Sequence, residues 1–236
     1  MKPFASLFIL LSCLAVAQQS QPSRPSMQYR EYRQEITKPP FRLAEAERAI
    51  KKTKIGDDDF QGVSDQVFKA MPFEEKFTYT MIHGDNFAQN CDVMPIFEQE
   101  EHKIFAFPMG PLDQQTWSER QLKFLKNNRT RIVALIGETI QKRHRVGMNL
   151  KGAIIELKAK ELIPVLITEF KRDRKDNDIL STLQVLMKDG KYGPFLASQS
   201  YAKLYGPNSD YRSFLMSNRA NQDLIISRAT SFYKGR

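Results

Sequence analysis

Cysteine is almost absent from this chain, which has two, Cys13 and Cys91. Cys13 lies in the apolar N-terminal stretch, so removal of that stretch would leave a single thiol and no intramolecular disulfide. A disulfide-framed scaffold is thereby excluded, and the fold must rest on packing. Histidine is nearly as scarce, with three residues, and neither a C-x-x-C nor an H-E-x-x-H spacing occurs. No cofactor and no metal are therefore expected. Beyond residue 17 no apolar run approaches the roughly twenty residues that a membrane-crossing helix needs. The mature chain is expected to be soluble.

What is present suits a globular domain. Hydrophobic residues make up 41% and charged residues 27% of the 236 positions, which argues against wholesale disorder. Residues 1–17 read as a secretory signal: Lys2, then an apolar run from Phe4 to Leu14, then Ala15-Val16-Ala17 as a cleavage site. Export to the periplasm or the extracellular space is expected. The run Leu10-Leu11-Ser12-Cys13 offers a rival, lipid anchoring through Cys13. The net charge is +9, and loss of Lys2 with the leader leaves +8. Such a charge suits an anionic polymer or surface, although no nucleic-acid-binding motif accompanies it.

Residues 18–40 read as a disordered linker, rich in Gln, Ser and Pro and closed by Pro39-Pro40. Residues 41–236 read as one helical domain interrupted by an irregular region at 83–115. The run Asp57-Asp58-Asp59 lacks the alternation of a calcium loop and reads as a turn or a helix cap. Ser64, Ser118, Asn128, Asn149 and Asp178 have the residue type and position of helix caps. Between them run apolar residues at helical spacing, most regularly Ile132, Ile136 and Ile140.

A rough repeat spans residues 149–205. Asn149-Leu150 leads through an apolar helix and a turn to Ile163-Pro164-Val165-Leu166; Asp178-Ile179 leads likewise to Gly193-Pro194-Phe195-Leu196. Pro164 and Pro194 lie thirty positions apart. This pattern resembles HEAT-like helical repeats, which imply an all-α fold, a short solenoid-like array of antiparallel helix pairs that binds a partner along one face and carries no catalytic chemistry. A non-repetitive helical bundle is the alternative.

Two functions from different classes follow. The first is an exported, non-enzymatic binding or scaffold protein, with another protein as partner; a partner gripping one edge of the helices would meet Lys151, Lys158, Lys171 and Lys175. The basic runs 142–145 and 171–175 both fall where helices should end, and they would form one anionic-polymer groove if those ends line up. The second is a thiol- or metal-dependent hydrolase centred on residues 83–102, where Cys91 with His83 or His102 has the types needed for a thiol–imidazole pair.

Overall fold

The computed structural model describes residues 22–53, 60–87, 95–112 and 114–235. The leader, Cys13, the aspartate run 57–59 and Cys91 lie outside the described residues. Within them the chain is mostly helical. The helices are α1 (Arg24–Gln34), α2 (Leu43–Ile50), α3 (Asp65–Ala70), α4 (Phe73–Ile82), α5 (Glu119–Asn127), α6 (Arg129–Arg143), α7 (Met148–Glu156), α8 (Ile163–Asp173), α9 (Asn177–Asp189), α10 (Gly193–Leu196), α11 (Gln199–Tyr205) and α12 (Arg219–Tyr233). Two short antiparallel ribbons join distant parts of the chain: β1 (Asn86–Phe87) with β3 (Gln115–Thr116), and β2 (Lys103–Phe105) with β4 (Phe214–Met216).

The molecule is built around α9. Every residue of this helix from Asn177 to Met187 is buried, because α7, α8, α12 and β2 pack against it. A helix covered on all sides must satisfy its polar side chains internally. Ser181 Oγ donates to the Phe105 carbonyl at 2.7 Å, and Thr182 Oγ1 to the Asp178 carbonyl at 2.8 Å. Gln184 does not follow: it is fully buried, and neither its amide nitrogen nor its oxygen has a hydrogen-bond partner. Leaving such a group unpaired costs about 1–3 kcal/mol. Gln184→Met, which keeps the volume and removes the amide, is therefore expected to raise the unfolding midpoint by several degrees, about 2–4 °C per kcal/mol at this size. A lower midpoint by calorimetry would show that the amide is paired in solution.

The expected linker departs most from its reading. Residues 24–34 form α1, capped by Ser23 and with Pro25 in its first turn. Its inward face, Ser26, Tyr29, Arg30 and Arg33, is buried. Polar residues fill this face because it docks through charge. Arg33 Nη1 lies 2.6 Å from Glu100, and its Nε and Nη2 lie 3.0–3.1 Å from Asp178. Arg30 forks onto the same Glu100 carboxylate, 2.8 Å from each oxygen. Tyr29 OH donates to the Lys175 carbonyl and accepts from the Asn177 amide at the start of α9.

Three expected caps serve other ends. Ser64 and Ser118 do cap α3 and α5. Asn149 instead lies inside α7, where its side chain accepts from the Thr37 amide and donates to the Thr37 and Met81 carbonyls at 2.8–2.9 Å. Asp178 lies inside α9 as the partner of Arg33. Asn128 Nδ2 donates back to the Phe124 carbonyl, closing α5 rather than opening α6.

Candidate functional site

Helices α6 and α8 are separated by one helix, α7, that returns the chain. Their C-termini consequently lie at the same end of the domain, and the basic runs 142–145 and 171–175 meet there. The contacts are direct. His144 Nδ1 lies 3.8 Å from Glu169 of α8, and Arg172 lies 3.2 Å from the same carboxylate. Arg145 reaches Asp176 at 2.7 Å. Tyr32 of α1 receives both runs, with the Arg145 guanidinium 3.7 Å and the Lys175 ammonium 4.4 Å from its ring centre. Cations over an aromatic ring are held by the ring's quadrupole.

The N-terminus of α12 extends this edge. Arg174 and Arg219 both bind Asp223 at 2.9 Å, and Arg174 also bonds Gln222 at 3.0 Å. An open cleft of about 710 Å³ lies here, lined by Lys171, Arg172, Arg174, Arg219 and Asp223 among others. A second cleft, of about 380 Å³, also borders Arg174, with Tyr29, Glu101, Lys175 and Asn177. Two of the edge carboxylates, Glu169 and Asp176, are buried, so their charge is turned inward. Arg143, Lys171 and Lys175 are exposed and have no carboxylate within ion-pair distance among the described residues.

The expected lysines therefore divide. Lys171 and Lys175 stand on this edge. Lys151 lies beneath it, fully buried, its ammonium 2.7–2.9 Å from both oxygens of Asp176. It cannot meet a partner, because an ammonium taken out of water must be spent on an internal carboxylate. Lys158 follows α7 and lies at the other end, where Arg129 bonds the carbonyls of Leu157 and Lys158.

The residues read as candidate chemistry are held in two separate networks. Asp85 is fully buried and accepts from Tyr79 OH at 2.6 Å, Ser118 Oγ at 2.8 Å and Arg120 Nε at 2.7 Å. His83 is buried beside it, its Nε2 2.8 Å from the Gln61 carbonyl. A carbonyl only accepts, so the neutral ring carries its proton on Nε2. His102 is exposed beside α1, in the cleft it shares with Tyr29 and Glu101, 3.8 Å from Glu101. No contact joins the two histidines among the described residues, and no group of three or more metal-ligating side chains occurs there.

Burial pushes the His83 pKa down, against the opposing pull of the Gln61 carbonyl and Asp85. A depressed histidine binds fewer protons folded than unfolded. Its contribution to stability is full above the unfolded value of about 6.5 and is lost as pH falls through the folded value. Thermal midpoints taken on either side of about pH 6.5 should fall on acidification, and His83→Gln should flatten that step. An unchanged step in the variant would place its origin elsewhere.

Sequence reasoning missed Tyr32, Arg219 and Asp223 as parts of the edge. The only signal for Tyr32 was spacing: Tyr29 and Tyr32 lie one helical turn apart, each followed by an arginine, Arg30 and Arg33. No helix among the described residues is long and apolar enough to cross a membrane. No protein-family model, no curated protein and no solved structure matches this chain.

Proposed function

We propose that this is an exported, non-enzymatic binding protein that holds an anionic partner on the edge where α6, α8, α12 and α1 meet. The observation that carries this reading is the convergence of two basic runs, about thirty residues apart, around Tyr32, with Arg143, Lys171 and Lys175 left without carboxylates. Cations in excess on one rim, with the exposed Asp173 and Asp223 among them, steer an oppositely charged partner and set its orientation. Pro164 and Pro194 each fall in the first turn of a helix, as a repeat of helix pairs would have them. A short array of this kind presents helix ends along an edge, where a partner reads many of them at once.

The hydrolase alternative rests on Cys91, and His83 gives it little support, with Nε2 committed to a backbone carbonyl. One experiment separates the two. The mature protein, wild type and Cys91→Ser, is used to capture partners from envelope and secreted fractions at low and high salt. The binding reading expects the same partner on both proteins, released as salt rises because surface charge is screened. Metal in the purified protein, or labelling of Cys91 far faster than an ordinary thiol, would overturn it in favour of the enzyme.

A further inference from the structure

The edge carries acceptors as well as cations. Helices α6 and α8 both stop at a residue in the left-handed conformation, His144 at φ 51° and Arg174 at φ 55°. Each cap amide closes one bond, His144 to Ile140 and Arg174 to Phe170. A helix leaves its last carbonyls without intrahelical donors. Here the carbonyls of residues 141–143 and 171–173 accept no hydrogen bond among the described residues, and all six residues are exposed. The two carbonyl rows sit beside Arg143, whose Nε donates to the Lys38 carbonyl at 3.0 Å, and Lys171, neither of them paired with a carboxylate among the described residues.

The helix starts on this edge are partly closed to an anion. At α9 the Asn177 amide is taken by Tyr29 OH, and at α12 the Asn221 amide is taken by the Asn218 side chain. Phosphate sites draw on free amides at helix starts; at α12 the Arg219 and Ala220 amides have no acceptor among the described residues, but the Asp223 carboxylate, 2.9 Å from Arg219, stands beside them. The Tyr32 ring is likewise covered by Arg145, Lys175 and the Tyr29 ring, stacked at 5.9 Å. It has no open face for a base, so a stacking platform for single-stranded nucleic acid is missing.

Donor side chains alternating with backbone acceptors are the complement of an acidic polypeptide, which brings carboxylates and amide N–H groups together. Resting on the binding reading above, we propose that the partner presents an extended acidic peptide segment. Its carboxylates bind Arg143, Lys171 and Lys175, and its backbone amides donate to the helix-end carbonyls of α6 and α8. Guanidinium forks suit carboxylates in particular, and the two clefts that border Arg174 give the acidic side chains room to enter.

The test uses the full mature protein and three probes in fluorescence and sedimentation assays. These are a labelled oligoglutamate peptide, its backbone N-methylated analogue of equal charge, and vesicles of phosphatidylcholine with phosphatidylglycerol; inorganic polyphosphate serves as competitor. Oligoglutamate should bind, and N-methylation should weaken it about tenfold, the loss expected when hydrogen bonds to the edge are removed. Lys171→Glu/Lys175→Glu should abolish binding, while Lys158→Glu/Lys160→Glu at the other end should leave it intact. Equal binding of the N-methylated analogue, or preference for polyphosphate or vesicles lost in the same edge variant, would overturn the peptide proposal and leave the binding edge standing. Peptide binding indifferent to reversal at the edge would overturn both.

Discussion

Replacing Arg33 by methionine is expected to cost about 3–5 kcal/mol of stability, because it strands carboxylates that burial has already stripped of water. Arg33 is 2% exposed, and it is shared between Glu100 and Asp178, which are 0% and 1% exposed. The variant loses one cation and keeps both anions. At this chain size the cost corresponds to a thermal midpoint lower by about 6–20 °C. The pH dependence gives a second readout. Burial opposes ionisation of Glu100, but the Arg30 hydrogen bond and the Arg33 guanidinium outweigh it and hold the carboxyl below its usual range. A depressed carboxylate contributes stability that is full above the unfolded value of about 4.3 and is lost as pH falls through the folded value. Wild type should therefore lose stability in that acidic window, and Arg33→Met should lose less there. A variant within about 1 °C of wild type would mean that α1 is not docked, and that residues 18–40 behave as the linker their composition suggests.

Asn149→Leu is the second large effect. The side chains share their branching and heavy-atom count, and the bulkier methyls of leucine add some overpacking at this fully buried position to the loss of hydrogen bonds. The amide of Asn149 serves the Thr37 N–H, the Thr37 carbonyl and the Met81 carbonyl, all buried. Leucine serves none. Each buried backbone group left unpaired costs about 1–3 kcal/mol, so a total of about 3 kcal/mol or more is expected in denaturant unfolding. Thr37 is also tied to the neighbouring turn, its hydroxyl accepting from the Gly147 amide at 2.8 Å and donating to the Arg145 carbonyl. Gly147 is required there: a Cβ would stand 2.2 Å from the Thr37 nitrogen. A loss below about 1 kcal/mol for Asn149→Leu would show that residues 36–37 peel away without resistance.

These two sites mark where sequence reading stops. Apolar periodicity located the helices that dock by apolar faces: Ile132, Ile136 and Ile140 are all fully buried. The inward face of α1 has the same spacing, Ser26, Tyr29 or Arg30, and Arg33, but only one of its members is apolar. A pattern search for hydrophobic residues passes over it. The charges that make it legible come from Glu100 and Asp178, about seventy and one hundred and forty-five positions away. Asn149 and Asp178 have the types that favour helix caps, and tertiary partners claimed them instead. Sequence alone cannot choose between a local and a distant use of the same side chain.

The edge was partly legible. Basic residues suit helix C-termini, and alternate members of an antiparallel series end at the same side, so α6 and α8 could be paired from their order alone. The same parity places Lys158, after α7, at the opposite end. Whether Lys151 faced solvent or Asp176 depended on the rotation of α7 about its axis, which its largely apolar sequence leaves open: both Leu150 and Lys151 are fully buried.

The most direct measurement is a matched pair of charge reversals read by crosslinking of the captured partner. Lys171→Glu/Lys175→Glu and Lys158→Glu/Lys160→Glu change the net charge equally, at opposite ends of the domain, and thermal midpoints confirm that both fold. The account predicts that the first pair loses the partner and the second keeps it, with crosslinks in the wild type confined to the edge around Tyr32. Equal loss in both pairs would reduce the attraction to overall charge, and loss in the second pair alone would place the binding surface at the other end of the helices.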